Sequence, residues 1–306
     1  MTMTAFPNGI TSRGMIVLGG GLPPTIGKTF YVDSTHAAKL DSVGSGVSPD
    51  NPFATLDYAI GQCTANKGDI ILLAPAHAEN VATAAAIAVD VAGISIIGLG
   101  QGSNRPTFTF TGTAGTIAIS AANVTISNIR VTSGIDEVVK MFHVTAANVT
   151  LDRVDHFETA TFQTIQFLLT TNAADFLTVQ NCYHQQATAA AAAQLWIQLV
   201  GCDNVRILDN TFFLVLQNGA TCATITATTA VLNCLIARNR IHQTGGTTQV
   251  SPILMVANST GYATDNRVAS AVTTLAGSVA LANLYATENY AVNVVNKNGI
   301  LEPVVA

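Results

Sequence analysis

Charged side chains are scarce in this chain of 306 residues. They make up 10% of the sequence, against about 25% in ordinary globular proteins, while 49% of the residues are hydrophobic. The exterior must therefore consist largely of Thr, Ser, Asn, Gln and Ala side chains. A surface with so little charge predicts extensive burial against other copies of the chain, and a rigid extracellular monomer is the alternative interpretation.

The sequence also lacks the segments that mark nucleic-acid and membrane proteins. Its net charge is −5, from 13 Lys+Arg and 18 Asp+Glu, and it has no basic run, which argues against a nucleic-acid partner. The N-terminal segment has no basic region, and no apolar stretch is long enough to span a membrane. We therefore expect a soluble protein, made in the cytoplasm, that binds neither nucleic acid nor membrane.

The cysteines are few, odd in number and without a C-x-x-C pair. This pattern predicts reduced, buried thiols rather than a disulfide framework or a zinc site, and no cofactor is expected. The five residues are Cys63, Cys182, Cys202, Cys222 and Cys234.

An internal repeat is what the sequence does contain. Residues 121–131 (AANVTISNIRV) return as residues 146–156 (AANVTLDRVDH), and looser copies begin at 175, 203, 232, 262 and 284. Apolar and small polar residues alternate within a copy, which indicates a short strand, and an asparagine then marks a bend. Aligning the copies on this bend predicts a ladder of Asn128, Asn181, Asn210, Asn239, Asn266 and Asn289, which Arg153 interrupts.

A repeat of this length predicts a solenoid. The steps between successive bends run from 23 residues (289 − 266) to 29 residues (239 − 210), and a leucine-rich repeat is excluded because its Leu-x-x-Leu-x-Leu frame is missing. We predict an all-β, right-handed parallel β-helix of about nine rungs. Asparagines at stacked bends would then bond to one another along the stack.

The predicted organisation has four parts. Residues 1–28, rich in Gly and Pro, form an extended N-terminal arm, and residues 29–68 form an N-terminal cap of one strand and a helix over 52–63, with Asn51 as its N-cap. The parallel β-helix covers residues 69–295. Residues 296–306 form a C-terminal tail.

The densest titratable cluster contains Asp152, Asp155 and Glu158. Glycoside hydrolysis needs two carboxyl groups on either side of the scissile bond, so these three residues would be the catalytic candidates if the chain were an enzyme. The neighbouring repeats offer Arg130 and Tyr183 rather than further carboxylates. We therefore favour a solvated bend with an Asp155–Arg130 contact, and we expect no catalytic residues.

Two further columns of side chains are candidates for binding. His156 and His184 would be neighbours one rung apart and could share a metal ion, but without a third ligand the site is weak, and an inward stack of histidines is the preferred interpretation. Tyr183 and Phe212 would share the adjacent column. They could contact sugar rings, form an interface with another subunit, or belong to the core.

Several segments near the N-terminus resemble a known group of proteins. Residues 30–33 (FYVD), 48–59 (SPDNPFATLDYA) and 68–79 (GDIILLAPAHAE), with Gly98-Leu-Gly100 and Arg105-Pro106, are similar to the start of β-helix proteins encoded by tailed bacteriophages and prophages. The leader FPNG at residues 6–9 fits the same pattern. The repeats resemble the pectate-lyase-like superfamily in pattern, without a catalytic motif of that superfamily.

This resemblance implies a virion component with a head or tail role, and the absence of a catalytic constellation, together with the short rod, favours a structural, non-enzymatic role. The expected function is that of a capsid decoration or cement protein, or of a head fibre, that acts by protein–protein packing. The expected partners are two further copies in a homotrimer and the major capsid protein or another virion protein, with the capsid surface favoured over the tail. The alternative is a tail-associated protein that binds or depolymerises host polysaccharide.

Overall fold

The computed structural model describes most of the repeat region of the chain. The described residues are 10–12, 15–17, 25–158, 160–216, 222–245, 251–270 and 279–292. Their strands form three long parallel sheets and one two-stranded antiparallel sheet. Within each long sheet, neighbouring strands are mostly three apart in chain order, so the chain passes through each of the three long sheets once in every turn.

The strands are numbered in chain order, and β1 (Ile10–Ser12) pairs with β2 (Met15–Val17) in the antiparallel sheet. Sheet 1 contains β3 (Thr29–Val32), β4 (Ile70–Leu73), β7 (Ser95–Gly98), β10 (Val124–Ser127), β13 (Val149–Asp152), β16 (Thr178–Gln180), β19 (Arg206–Leu208), β22 (Cys234–Ala237), β25 (Gly261–Thr264) and β28 (Tyr285–Thr287). Sheet 2 contains β5 (Ala78–Val81), β8 (Thr107–Phe110), β11 (Arg130–Ser133), β14 (Asp155–Phe157), β17 (Tyr183–Gln185), β20 (Thr211–Val215), β23 (Arg240–Thr244), β26 (Arg267–Ser270) and β29 (Tyr290–Val292). Sheet 3 contains β6 (Ile87–Val89), β9 (Ile117–Ile119), β12 (Phe142–Val144), β15 (Leu168–Thr170), β18 (Leu195–Val200), β21 (Ala223–Thr229), β24 (Ile253–Leu254) and β27 (Val279–Ala280).

The predicted all-β parallel solenoid is confirmed. The three sheets hold ten, nine and eight described strands, so the expected nine rungs slightly exceed the number of complete turns. Right-handed winding and the division into arm, cap, solenoid and tail stay predictions. Of the predicted arm, β1, β2 and residues 25–28 are described, and the predicted tail at 296–306 lies outside the described residues.

The core fills the space between the three sheets. Alternate side chains of most strands in the three long sheets point inward, and in sheet 2 the inward column runs through Phe108, Val131, His156, His184 and Phe212, all fully buried. Each fully buried large apolar side chain stabilises the fold by roughly 1.5–3 kcal/mol relative to exposure. The stack of apolar side chains from turn to turn is therefore the main source of stability.

The helix is shorter than the sequence predicts. Helix α1 covers Leu56–Gln62, and its N-cap is Thr55, whose side chain accepts a hydrogen bond from the Tyr58 N–H. The predicted start at 52, with Asn51 as N-cap, is wrong because Phe53 is extended: its N–H donates to the Tyr31 carbonyl and its own carbonyl accepts from Asp33 N–H. Helix α1 contacts β3, β4 and β6.

The bend between sheets 1 and 2 is offset by one residue from the predicted alignment. The left-handed residue at this bend is Asn128 or Asn181 in two turns, but it is Asp209 (φ 57°) and Arg238 (φ 56°) in later turns. Strand pairing places Ser127 opposite Asp152, Gln180 opposite Leu208 and Leu208 opposite Ala237. The asparagine therefore occupies the bend itself in some turns and the residue after it in others.

Four asparagines form a continuous buried ladder after this bend. The side-chain amide Nδ2 of each of Asn210, Asn239 and Asn266 donates to Oδ1 of the next asparagine, at 3.0, 3.0 and 2.9 Å, and Asn289 ends the series. Each Nδ2 also donates to a main-chain carbonyl of an adjacent turn. Asn128 and Asn181, which the sequence placed in the same ladder, are not part of it. Asn128 donates to the Gly98 and Gly100 carbonyls instead.

Candidate functional site

The first catalytic candidate, Asp152, is occupied by structural hydrogen bonds. Its Oδ2 accepts from Arg153 Nε at 2.8 Å and from Ser127 Oγ at 3.2 Å, and its Oδ1 accepts from Asn181 Nδ2 at 2.9 Å. Burial alone would raise the pKa of Asp152, but the hydrogen bonds from Asn181, Arg153 and Ser127 outweigh it and lower the pKa below its ordinary value. Asp152 therefore fixes the bend as an anion at neutral pH.

The second candidate, Asp155, lies between two arginines on the outer face of sheet 2. Arg105 Nη1 is 2.5 Å from Asp155 Oδ1, and Arg130 Nη2 is 3.7 Å from Oδ2. Arg130 is the register neighbour of Asp155 on β11, so the contact expected from the sequence is present. The Arg130 guanidinium also lies 5.7 Å from the centre of the Phe157 ring. Asp155 thus compensates two cations.

The third candidate, Glu158, is inside the solenoid. Its side chain is fully buried, and its Oε1 is 2.9 Å from His156 Nε2 and 3.3 Å from Ser133 Oγ. A buried carboxylate cannot reach a polymer outside the solenoid. The structure therefore does not bring Asp152, Asp155 and Glu158 together around one substrate position.

The two candidate metal ligands lie in an aromatic stack. The rings of His156 and His184 are 6.1 Å apart between centroids, and His184 stacks on Phe212 at 4.7 Å with an interplanar angle of 4°. His156 Nε2 is already bonded to Glu158. Among the described residues, no three His, Cys, Asp or Glu side chains converge on a point that could hold a metal ion.

The lumen around these histidines is unusually polar. Burial and, to a lesser extent, the neighbouring His156 lower the pKa of His184 well below its ordinary value, so the ring is neutral at pH 7. Neither ring nitrogen of His184 has a hydrogen-bond partner in the described part of the chain, and the same holds for Glu158 Oε2 and Trp196 Nε1. Buried polar groups without protein partners are often satisfied by ordered water.

All five cysteine thiols have raised pKa values. All five are free thiols, and four of them are buried while Cys63 is partly exposed. Burial raises the pKa of the Cys182 thiol to about 12, and the same cause raises the pKa of Cys63 to about 12. High thiol pKa values indicate packing roles rather than nucleophilic ones.

The exposed aromatic column on sheet 2 is not the one that the sequence predicted. Strand pairing places Tyr183 opposite Thr211, His184 opposite Phe212 and Gln185 opposite Phe213. Phe212 is fully buried, whereas Phe213 is 45% exposed and its ring lies 6.0 Å from that of Tyr183. The pairing of Tyr183 with Phe212 was wrong because the alignment on asparagine slips by one residue between these turns.

Further along sheet 2, the outer face carries more rings and two arginines. His242 follows Phe213 in register, with ring centroids 6.1 Å apart. Arg240 and Arg267 are register neighbours, and Tyr290 is the next residue in the same column. We call this surface the lateral groove, and it is formed by Tyr183, Phe213, Arg240, His242, Arg267 and Tyr290.

The lateral groove is a pair of adjoining shallow depressions. One, of about 330 Å³, is lined by Phe213, Arg240, His242, Arg267 and Tyr290 among others. The other, of about 380 Å³, lies between Tyr183, Phe213 and His242. Neither Arg240 nor Arg267 forms an ion pair within the described ranges. Like charges in register repel, so two unpaired arginines side by side are an energetically unfavourable arrangement in the isolated chain.

Sequence reasoning missed most of this groove, although a local signal was present. In the later turns the asparagine follows a charged residue, as in Asp209-Asn, Arg238-Asn and Asp265-Asn. The charged residue takes the left-handed bend and the asparagine enters the ladder. If those turns are aligned on the charged residue instead of the asparagine, Phe213 and Gln185 fall in one column.

Comparisons with known proteins add a fold likeness only. No protein-family model matches the chain, and no curated protein matches it. A rhamnogalacturonan lyase structure is similar over 91% of this chain and 90% of its own, with 14% identity and a TM-score of 0.45. A GH136 lacto-N-biosidase from Eubacterium ramulus is similar over 87% and 68%, with 11% identity and a TM-score of 0.45. At such low identity, the names of these enzymes say nothing about what this chain binds.

None of the described helices is long and apolar enough to cross a membrane.

Proposed function

We propose that this chain is a structural component of a bacteriophage virion, a capsid decoration or head-fibre protein that acts by protein–protein packing. The observation that supports it best is the lateral groove, where aromatic rings stand exposed on the side of a rigid solenoid. Contiguous exposed apolar surface of this kind marks interaction sites, and exposed aromatic and arginine side chains are the residue types that dominate protein interfaces.

The arrangement of the carboxylates also favours a binding role over an enzymatic one. Glycoside hydrolysis needs two carboxyl groups about 5–9.5 Å apart that face the same sugar. Here Asp152 is bonded into a bend, Asp155 is paired with two arginines, and Glu158 is buried in the lumen. The resemblance of residues 30–79 to phage β-helix proteins adds support. The proposed assembly is a homotrimer on the capsid surface, in contact with the major capsid protein or another virion protein.

A second candidate function is binding of host polysaccharide at the tail. The observation in its favour is the proximity of Phe213 and Tyr290 to Arg240 and Arg267 in one groove, because rings can pack on sugar faces while guanidinium groups bind acidic substituents. This candidate would place the same groove outward rather than against a subunit.

Cryo-electron microscopy of the particles produced by the phage or prophage that encodes the chain tests the proposal. Regular solenoid density over the head, at positions set by the capsid lattice, is the expected result. Density confined to the tail would support polysaccharide binding instead. Purified particles that contain no copy of the chain, checked by mass spectrometry, would refute both.

A further inference from the structure

The two adjacent arginines of the lateral groove are one feature that destabilises the isolated chain. A second such feature lies at the turn between sheets 3 and 1. Phe176 has φ 58°, a left-handed conformation that bulky residues rarely adopt, and its side chain is 53% exposed. The corresponding positions in other turns are Asn148, Asn204 and Asn233, all with positive φ, and asparagine tolerates that conformation. A strained, exposed phenylalanine reduces the stability of the folded chain, so its presence calls for a role outside the fold.

Acidic and apolar residues occupy the same edge of the solenoid as Phe176. Asp175 and Asp203 stack in adjacent turns, since Asp175 Oδ1 accepts from Asp203 N–H at 2.7 Å and Asp203 Oδ1 accepts from Leu232 N–H at 2.8 Å. Leu232 is 45% exposed, and neither aspartate forms an ion pair with any described residue. We call this surface the acidic edge, formed by Asp175, Phe176, Asp203 and Leu232.

The acidic edge complements the lateral groove in charge and in apolar content, and the two surfaces overlap in height. One surface has two unpaired arginines beside exposed rings, and the other has two unpaired aspartates beside an exposed ring. Phe176 precedes β16 in the same turn as Tyr183 on β17, and Asp203 precedes β19 in the same turn as Phe213 on β20. Arg240 and Arg267 lie one and two turns further along the stack, and Arg240, about 4.8 Å away in height, is within reach of Asp203 through its long side chain.

One chain cannot bring these surfaces together, because the groove is on sheet 2 and the edge is at the turn from sheet 3 into sheet 1. We propose that the acidic edge of one copy of this chain docks into the lateral groove of a second, parallel copy at the same height. Such a contact uses two different surfaces, so it repeats from copy to copy and closes into a ring when the rotation permits. This inference rests on the proposed function and specifies the faces of its homotrimer.

Two variants test the two surfaces separately. The groove variant combines Phe213→Gln with Arg240→Thr. Each new side chain is the one that pairs with that position on the preceding strand of sheet 2, Gln185 for Phe213 and Thr211 for Arg240. On the edge, Phe176→Asn introduces the residue of the neighbouring turns. Because it removes left-handed strain, Phe176→Asn should raise the melting temperature of the dissociated chain by about 1–3 °C, while it weakens self-association about 30-fold or more. A higher melting temperature together with weaker self-association would show that Phe176 serves docking rather than packing within its own chain.

Light scattering at micromolar concentration gives the decisive readout. The wild-type chain is expected as a trimer, each variant alone as a monomer, and the control Tyr262→Thr, an exposed ring on sheet 1, as a trimer. An equimolar mixture of the groove and edge variants should form a one-to-one dimer, because each pair retains one intact groove and one intact edge.

Three outcomes would overturn the inference. They are a monomeric wild type, variants that remain trimeric, and a mixture that stays monomeric. If the groove variant loses binding to acidic polysaccharide or to capsids but still trimerises, the groove has a different occupant and the inference is wrong. A wild-type trimer that is absent from particles would refute the virion proposal and leave the docking geometry standing.

Discussion

His184 offers the sharpest test of how the lumen is built. Its ring is fully buried, stacks on Phe212 at 4.7 Å and leaves both nitrogens without a partner among the described residues. An unsatisfied buried polar group costs about 1–3 kcal/mol. Replacing His184 by Phe removes both nitrogens and extends the phenylalanine stack. We therefore expect His184→Phe to increase the free energy of unfolding at pH 7.5 by about 1–3 kcal/mol.

The same substitution should change the response to acid. Burial depresses the pKa of His184 below the ordinary value of 6.5, so the folded chain keeps the ring neutral while the unfolded chain protonates it as the pH falls through 6.5. The folded state then binds fewer protons than the unfolded state, and stability declines by about 1.4 kcal/mol per pH unit below 6.5. His184→Phe lacks this loss, so its advantage over wild type should grow by about 1.4 kcal/mol between pH 7.5 and pH 5.5.

Urea denaturation at the two pH values measures both effects. The matched control is Tyr262→Phe, because Tyr262 is an exposed ring on sheet 1 and belongs to neither the lateral groove nor the acidic edge. Its unfolding free energy should stay within about 0.5 kcal/mol of wild type. If His184→Phe is no more stable than wild type at pH 7.5, ordered water satisfies the two nitrogens and the assumption of an unsatisfied ring is refuted. If the difference in unfolding free energy between His184→Phe and wild type does not widen at pH 5.5, the depressed pKa of His184 is refuted.

Three further substitutions or treatments probe other parts of the chain. Asn239→Ala should destabilise the fold by about 2–4 kcal/mol in urea denaturation, because it leaves the partners of a buried, fully bonded amide unsatisfied, whereas Asn181→Gly, at an exposed bend, should cost less than about 1 kcal/mol. Glu158→Ala should cost about 1–3 kcal/mol, since it removes the buried hydrogen-bond partner of His156 Nε2, while Ser133 Oγ keeps its bond with Thr164 Oγ1. At pH 8 a thiol reagent should label at most Cys63 in the native chain and all five cysteines after unfolding.

Each of these expectations has a clear contrary result. Equal losses of unfolding free energy for Asn239→Ala and Asn181→Gly would mean that the asparagine ladder stabilises the fold no more than a surface bend does. A fully stable Glu158→Ala would mean that water replaces the carboxylate. Rapid labelling of more than one thiol in the native chain would contradict the burial of the other four.

The architecture was predictable from the sequence because two consecutive copies of its repeat share the segment AANVT and the same alternation of apolar residues. Residues 121–131 and 146–156 align without a gap, and the pairing of Val124 with Val149 follows that alignment. The site was not predictable because the alignment depended on asparagine, which serves two different roles. At Asn181 it supplies a left-handed bend, and at Asn210 it supplies a buried side-chain amide. A slip of one residue exchanges the inner and outer faces of a strand, and this is why the sequence alignment pairs Tyr183 with Phe212 and leaves Phe213 out of the aromatic column.

The change of role at Asn210 has a consequence for the lateral groove. The buried ladder from Asn210 to Asn289 runs along the bend that leads into β20, β23, β26 and β29, the strands that carry Phe213, Arg240, Arg267 and Tyr290. Each ladder asparagine bonds both to its neighbour and to the main chain of an adjacent turn, so the turns cannot shift relative to one another without breaking several buried hydrogen bonds.

In the preceding turns, the bend is held by partly exposed contacts such as that of Asn181 with Asp152. The firmest part of the bend thus lies directly beside the groove, as a surface that binds through fixed spacings between side chains requires. Asn239→Ala should therefore weaken self-association as well as folding, even though Asn239 is buried and touches no partner.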